Sequence, residues 1–189
     1  MDALSDNALM LKVKNGDVDK LGLLYSRYSK KLFGFFYRLT HRADVSEDLV
    51  QNVFYRILKY RHTYRGEGQF KTWIYHLARN VHVDQFKKNK RYHFSENHEF
   101  LEDKMEQLPA TDEEVMKRQE TALLESALNR LPEEKKEILI LSRYQELKYE
   151  EIGRILNCSE GAVKVRIHRA IKDLKKMYQK MEKEGIYGN

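Results

Sequence analysis

The stretch that most constrains the fold is 149–176, whose sequence YEEIGRILNCSEGAVKVRIHRAIKDLKK predicts two helices joined by a tight turn. Ile152 and Ile155 lie at the spacing of an apolar helical stripe in the first helix. Asn157 predicts the end of that helix, because asparagine tolerates the left-handed backbone conformation at a helix C terminus. Ser159 can then accept a hydrogen bond from the free N–H groups that begin the second helix. The pattern is typical of a helix-turn-helix.

The second helix of this motif has two different faces. One face is apolar and is expected to be buried: Val163, Ile167, Ala170, Ile171 and Leu174. The other face is largely basic and begins in the first turn, as a helix placed in the DNA major groove requires: Lys164, Val165, His168, Arg169, Lys172 and Lys176. A solvated basic helix on an ordinary helical bundle is the alternative interpretation.

The charge of the chain favours an anionic partner. Its 189 residues carry a net charge of +6, and 34% of them are charged. The single cysteine, Cys158, excludes an internal disulfide framework and is expected to be a small packing residue. No apolar run approaches the length of a membrane span and no secretory signal pattern is present, so we expect a soluble, cytoplasmic protein without membrane insertion.

Hydrophobic periodicity predicts helices throughout the N-terminal part of the chain. Ser5 and Asp17 are expected to cap a short helix and a long one. A third helix is predicted to begin with a capping pair, Asp44 and Glu47, and to bury one apolar face. Its outer face carries polar groups that suit either a partner protein or simple contact with water: Asp48, Gln51, Asn52 and Arg56.

A loop containing Gly66 and Gly68 is predicted before the next helix, which we expect to end near Asn80. Basic side chains are interleaved with aromatic rings around and beyond this point: Arg79, Lys87, Lys88, Lys90 and Arg91, with Tyr75, Phe86 and Tyr92. Basic groups can follow phosphates while rings stack on unpaired bases, so the mixture favours single-stranded DNA, although such rings also suit a core.

The composition reverses in residues 95–114, where acidic residues accumulate and Lys104 is the only lysine or arginine. This composition predicts a flexible acidic linker between domains at 1–94 and 115–189. A linker of that length should leave the free domains poorly aligned. Pro132 is predicted at the first position of a helix that supports the helix-turn-helix. The fold expected is therefore all-α, with two small helical domains.

A search for catalytic motifs finds none of the usual patterns. The chain has no phosphate-binding glycine loop, no HExxH motif and no spaced set of cysteines and histidines. We therefore expect a protein that is not an enzyme, with no metal, no cofactor and no small-molecule substrate. A metal-dependent DNA-processing enzyme is a remote alternative, because carboxylates from separate helices can converge on metal ions.

Three ordered segments carry a resemblance to a known family: DVSEDLVQNVFYRILKY, FKTWIYHLARNVHVDQFKK and LNRLPEEKKEILILSRYQELKYEEIGRILNCSEGAVKVRIHRAIKDLKK. Their order and separation resemble regions two and four of bacterial RNA polymerase sigma factors of the extracytoplasmic-function group. The resemblance implies a protein that binds core RNA polymerase and directs it to promoters by reading −10 and −35 elements. It also implies an anti-sigma factor as a further partner.

The same resemblance assigns roles to residues of the N-terminal domain. Asp48, Gln51, Asn52 and Arg56 would dock on the polymerase clamp coiled coil, with Asn52 at a position that is often acidic in the family. Asn80 would receive an everted base of the −10 element, with Tyr64 beside the pocket, because a flipped base needs an edge to hydrogen-bond and a ring to stack on. The remaining −10 contacts are expected from Lys87, Lys88 and Arg91.

In the C-terminal domain the resemblance points to the second helix of the helix-turn-helix. Residues at the −35 reading positions are Lys164, Val165, His168 and Arg169, while Arg166 and Lys172 are expected to hold phosphates. A stand-alone helix-turn-helix regulator, which would bind DNA by itself as a dimer on a palindrome, is the main alternative.

Overall fold

A computed structural model describes the backbone of residues 4–92 and 112–185, with side chains described for 4–88 and 117–185. Within these ranges the structure is helical and contains no strand, which confirms the all-α prediction. The helices are α1 (Asp6–Lys14), α2 (Lys20–Thr40), α3 (Ala43–Tyr60), α4 (Phe70–Tyr92), α5 (Asp112–Asn129), α6 (Glu133–Leu139), α7 (Tyr149–Leu156) and α8 (Glu160–Lys183). A 3-10 turn (Arg61–Thr63) follows α3, and a π-helical turn (Ile140–Tyr144) continues α6.

The N-terminal domain consists of α1 to α4, which pack around one apolar core. Ser5 caps α1 as predicted, since its Oγ accepts a hydrogen bond from the Ala8 N–H at 3.2 Å. Helix α2 packs on α3 and α1, and α3 packs in turn on α4. The buried residues of α2 form one apolar stripe: Leu24, Tyr28, Leu32, Phe35, Phe36 and Leu39. Burial of this stripe, rather than helix propensity alone, is what stabilises helices of this length.

The C-terminal domain contains the predicted helix-turn-helix. Helix α7 ends at Asn157, whose φ of 52° is the left-handed conformation that the sequence predicts. The Ser159 Oγ accepts a hydrogen bond from the Ala162 N–H at 3.2 Å, so this residue caps α8. Val163, Ile167 and Ala170 are buried at helical spacing. Ile171 is 38% exposed and lies at the margin of the apolar face rather than within it.

Several predicted helix boundaries were wrong. Helix α2 begins at Lys20 after Asp19, not after a capping Asp17. Helix α3 begins at Ala43, and instead of capping it Asp44 pairs with the Arg42 guanidinium at 2.5 Å. Pro132 is the residue before α6 rather than its first position. Local sequence signals of this kind locate a helix start only to within one or two residues.

The predicted helix end at Asn80 was also wrong, since α4 runs without a break to Tyr92. Ala78 and Val81, on either side of Asn80, are buried and continue the apolar stripe of the helix. The intrinsic cost of asparagine inside a helix is no more than about 0.7 kcal/mol, which burial of the flanking residues exceeds.

The two domains pack against each other. The length of the linker had instead predicted domains that are poorly aligned. One continuous core contains buried residues of both, and α4 contacts α7 while α2 contacts α6 and the π-helical turn. Residues 95–111 of the predicted acidic linker lie outside the described residues, and α5 already begins at Asp112, within the range predicted as linker.

Candidate nucleic-acid and polymerase interfaces

The outer face of α8 is exposed along the whole length predicted to read DNA. Burial of Val163, Ile167 and Ala170 fixes the orientation of the helix and turns the opposite face to solvent. All of the predicted −35 side chains are exposed: Lys164, Val165, Arg166, His168, Arg169 and Lys172. Only apolar Val165 interrupts this largely basic surface, and 49% of it is exposed. An apolar group amid basic ones is what contact with a thymine methyl requires.

One of the acidic residues of α8, Asp173, is paired with a lysine of another helix. Asp173 pairs with Lys135 of α6, whose Nζ lies 2.6 Å from the carboxylate, and this hydrogen bond lowers the pKa of Asp173 below its usual range. The contact holds the negative charge against α6, beside the DNA-reading face. Lys164 and Arg169 on that face are exposed to solvent, where they can neutralise phosphates.

On α4 the predicted −10 residues divide into exposed and partly covered groups. Lys87 and Lys88 are exposed, and the neighbouring ring of Phe86 is 57% exposed. Asn80 is half-buried in the middle of the helix, with its Nδ2 3.4 Å from Nδ1 of His76. The side chain of Arg91 lies outside the described residues. Exposed lysines around an exposed ring preserve the combination of phosphate contact and base stacking that the sequence predicts.

Tyr64 does not fit the position beside a base pocket, because it is a core residue. Only 2% of it is exposed, its ring meets the Trp73 ring edge-on with centroids 5.0 Å apart, and burial raises the pKa of its phenol. Its hydroxyl donates to the Asn7 Oδ1 at 3.1 Å. Stacking on a base would require this ring to leave the core, so we exclude Tyr64 from the DNA interface.

Asn7 organises the loop that contains Tyr64, a role that sequence reasoning missed. Its Oδ1 also accepts a hydrogen bond from the Phe70 N–H at 2.7 Å, and its Nδ2 donates to the Gly68 carbonyl at 2.8 Å. One amide therefore fixes both ends of the loop between the 3-10 turn and α4. Its partners are separated from it by about sixty positions in sequence, so no local signal marks the contact.

The outer face of α3 presents the predicted docking residues. Asp48, Gln51 and Asn52 are exposed. Arg56 is held within the domain, since its Nε donates to the Asn52 Oδ1 at 3.0 Å and its Nη1 lies 2.8 Å from the Asp84 carboxylate. These contacts order the polar surface before any partner binds.

The described residues provide neither a metal-binding cluster nor a membrane-spanning helix. Among them, no group of three or more histidines, cysteines, aspartates and glutamates is arranged to hold a metal ion. None of the helices there is both long and apolar enough to span a bilayer.

Comparison with known proteins identifies the two domains separately. The model of sigma-70 region 2 matches residues 24–92, and that of sigma-70 region 4 matches residues 121–174. The chain belongs to the sigma-70 family. The relatives named below support membership of its extracytoplasmic-function group and the function of an RNA polymerase sigma factor.

Among the relatives, the chain is 29% identical to RNA polymerase sigma factor YlaC of Bacillus subtilis, over 88% of this chain and 96% of the relative. It is also 29% identical to the ECF RNA polymerase sigma-E factor of Haemophilus influenzae, over 89% of this chain and 93% of the relative. Two solved structures share the fold. The first is CnrH in complex with the cytosolic domain of CnrY, with a TM-score of 0.70, 19% identity and coverage of 92% and 97%. The second is RpoE with the anti-sigma factor NepR from Bartonella quintana, with a TM-score of 0.63, 24% identity and coverage of 78% and 89%.

In this sigma factor the exposed face of α3 carries one further residue that sequence reasoning missed. Tyr55 is 62% exposed and follows Gln51 by four positions, so the two side chains share a face. The sequence does contain a signal for this residue, because the aromatic Tyr55 interrupts the polar stripe on the outer face of α3. Exposed tyrosines are enriched at the centres of protein interfaces, where they supply a large apolar area with a polar tip.

Proposed function

We propose that α3 docks this sigma factor on core RNA polymerase, that α4 reads the −10 element and that α8 reads the −35 element. The observation that carries the proposal is the separation of three exposed faces on three helices whose opposite sides are buried in the core. The docking set is Asp48, Gln51, Asn52, Tyr55 and Arg56. The −10 set is Asn80, Phe86, Lys87, Lys88 and Arg91, and the −35 set is Lys164, Val165, Arg166, His168, Arg169 and Lys172.

The division of chemistry within α8 follows from side-chain type. Lys164 and Arg169 can donate to guanine acceptors in the major groove, whereas Val165 suits a thymine methyl. Arg166 and Lys172 are exposed farther around the helix and are assigned to phosphates. The −35 contacts therefore supply both register and sequence preference.

In this proposal the protein does not catalyse a reaction itself. It binds polymerase and promoter DNA in the cytoplasm. An anti-sigma factor is proposed as a regulatory partner, supported by the likeness to the solved complex of RpoE with the anti-sigma factor NepR. The exposed aromatic and polar face around Tyr55 offers the same surface to polymerase and to a competing inhibitor.

Run-off transcription with purified core polymerase tests the proposal. We expect a transcript that needs both the polymerase and this chain, and co-elution of the two proteins on gel filtration. The double substitution Asp48→Ala with Gln51→Ala should reduce complex formation on a native gel without changing the helical circular dichroism. The matched control is Gln179→Ala, an exposed residue on α8 outside all three sets.

The alternatives give different results in the same assay. A stand-alone regulator would bind promoter duplex tightly without polymerase, and a DNA-processing enzyme would cleave it when a divalent metal ion is added. Unchanged complex formation by the double variant would contradict the docking face.

A further inference from the structure

Helix α4 carries a single acidic residue, which lies in the middle of the face proposed to read the −10 element. Asp84 follows Asn80 by four positions and precedes Lys87 and Lys88 by three and four, so the four side chains share one side of the helix. The Asp84 side chain is 57% exposed. A negative charge therefore lies among the groups expected to approach a negatively charged strand.

A residue of α3 holds this carboxylate in place. The Arg56 Nη1 lies 2.8 Å from Asp84 Oδ2, while the Nε of the same guanidinium donates to Asn52 Oδ1 at 3.0 Å. Because the guanidinium is planar and two of its nitrogens are engaged, it fixes the position of the Asp84 carboxylate relative to α3. Within the described part of the chain the Asp84 side chain has no other hydrogen bond or ion pair.

The ion pair contributes little to the packing of α3 on α4. An exposed pair gains little free energy on folding, because its charges interact weakly in water and two long side chains must be held in one geometry. The two helices are joined by a continuous apolar core, which includes Val53 and Ile57 of α3 and Ala78 and Val81 of α4. The pair therefore orients a surface group and is not needed to hold the helices together.

Phosphate binding gives no reason for the aspartate either. A carboxylate repels phosphates, so a face that only followed the backbone of the strand would bind it more tightly with a neutral residue at position 84. Pairing with Arg56 offsets this repulsion, since the two charges sum to zero. The exposed carboxylate remains a strong hydrogen-bond acceptor, and an acceptor is useful where the strand presents a donor.

The donors of a DNA strand are on its bases. Aspartate accepts a hydrogen bond from the N4 amino group of cytosine, whereas thymine has a carbonyl oxygen at the same position. A carboxylate can therefore distinguish two bases of similar size. Asp84 lies one helical turn, about 6 Å along the axis, beyond Asn80. This distance allows it to meet a base next to the one assigned to Asn80.

We propose that Asp84 is a specificity-determining residue of the −10 surface, which accepts a hydrogen bond from the amino group of an unpaired cytosine, and that Arg56 is the positioning residue that orients it. The inference rests on the proposed assignment of α4 to the −10 element. Arg56 then serves two surfaces, because it also belongs to the docking set on α3. Its loss should change base preference as well as polymerase binding.

The relative binding of cytosine and thymine tests Asp84. Each −10 position is varied between the two bases, and the promoter fragments compete for the preassembled complex of core polymerase and this chain. At one position the wild-type complex should prefer cytosine by roughly 5- to 100-fold, the discrimination of one good base contact. Asp84→Asn should bring this ratio close to one, because an amide offers both a donor and an acceptor. The matched control is Asp19→Asn, the same charge change at an exposed residue outside the three sets.

Asp84→Glu separates the position of the carboxylate from its charge. This variant keeps the negative charge, so the general repulsion of the strand is unchanged. The preference for cytosine should nevertheless fall, because the added methylene displaces the carboxylate from the base. Helical circular dichroism equal to that of the wild type verifies that both variants of Asp84 are folded.

The same ratio tests Arg56, because it does not depend on how much of the complex forms. Arg56→Ala should lower the preference for cytosine, since the Asp84 carboxylate is no longer oriented. Arg56→Lys should restore part of the preference by keeping a positive charge beside Asp84. A variant Arg56→Ala that forms less complex but keeps the wild-type ratio would overturn the positioning role.

Two further results would overturn the inference. One is a wild-type complex with no preference for cytosine over thymine at any −10 position. The other is an Asp84→Asn variant that keeps the wild-type ratio, which would mean that Asp84 does not contact a base. Failure of the proposed function would look different, because Asn80→Ala and Lys87→Ala would then also leave −10 binding unchanged.

Discussion

Gly153 of α7 and Cys158 of the following turn approach so closely that a Cβ atom on Gly153 would lie 2.7 Å from the Cys158 carbonyl oxygen. The Cys158 N–H donates to the Gly153 carbonyl at 2.9 Å, so both backbones are fixed at this point. A side chain at Gly153 would meet backbone rather than a movable side chain. Glycine is therefore what allows the helix-turn-helix to turn within so few residues.

We predict that Gly153→Ala destabilises the protein by about 1–3 kcal/mol, the cost of overpacking a rigid site. Urea unfolding followed by circular dichroism measures the change. Gly161→Ala is the matched control, since its Cβ would have Ser159 Oγ as its nearest neighbour at 4.0 Å. That variant should be neutral or slightly stabilising through helix propensity. Equal losses in the two variants would show that the close approach does not matter.

Asn7 gives a second test, on the loop of the N-terminal domain. Asn7→Ala removes the acceptor for Tyr64 Oη and for the Phe70 N–H, together with the donor to Gly68. Groups left without partners each cost about 1–3 kcal/mol when buried, so we expect a loss in that range or above it by urea unfolding. Tyr64→Phe removes one of these bonds and keeps the ring, and its loss should be smaller, about 1 kcal/mol. A Tyr64→Phe loss as large as that of Asn7→Ala would assign the stability to the phenol alone.

The helix-turn-helix was predictable because its signals are local. Asn157 and Ser159 act on backbone groups within a few residues, and both behave as their side chains dictate. The exposed face of α8 followed from the period of its buried residues. Similar local reasoning failed at Asn80, where the burial of Val81 by other helices outweighs the weak preference of asparagine for a helix end.

The polar contacts between the two domains could not be predicted from local patterns. Thr72 and Glu151 are 79 positions apart, and each is an ordinary polar residue on its own helix. The burial of Tyr64 could not be predicted for the same reason. An aromatic residue in a polar loop looks like part of a binding surface, and only the contact with the distant residue Asn7 shows that it belongs to the core. Polar residues that pair across long sequence distances show no regular spacing in the sequence, whereas the apolar residues buried by a helix recur at its period.

A pH prediction follows from His41, which ends α2 beside the C-terminal domain. Its Nδ1 lies 3.4 Å from the Asn129 Nδ2, and burial, with the nearby Lys136 ammonium, lowers its pKa below the usual value of 6.5. The hydrogen bond with Asn129 and the nearby carboxylates of Glu125 and Glu133 act in the opposite direction without reversing the shift. Since the folded-state pKa is the lower one, the stabilising effect is complete above about pH 6.5 and is lost as the pH falls.

We therefore expect the free energy of unfolding to decrease between pH 7 and pH 5.5, and His41→Asn to make that decrease shallower. Asparagine suits the replacement because the position has a φ of 55°, which asparagine tolerates. The comparison of slopes is necessary because Glu137, whose pKa is raised by burial, contributes with the opposite sign. Parallel slopes for the two proteins would rule out His41 as the titrating group.

The last prediction separates base reading from phosphate contact on α4. If Asn80 holds an everted base, Asn80→Ala should lose discrimination at one −10 position, by about 1–3 kcal/mol. Lys87 is exposed and assigned to phosphate, so Lys87→Ala should weaken binding evenly across sequences and reduce the salt dependence by about one phosphate contact. A series of −10 variants, measured with the polymerase complex at several salt concentrations, distinguishes the two patterns.

Because Asn80 is half-buried beside His76, the same series should be repeated with His76→Ala. A loss at the same single position in that variant would show that the contact of Asn80 with His76 orients the amide toward the base. Identical responses of Asn80→Ala and Lys87→Ala would mean that α4 binds only the phosphate backbone of the −10 strand and does not read its bases.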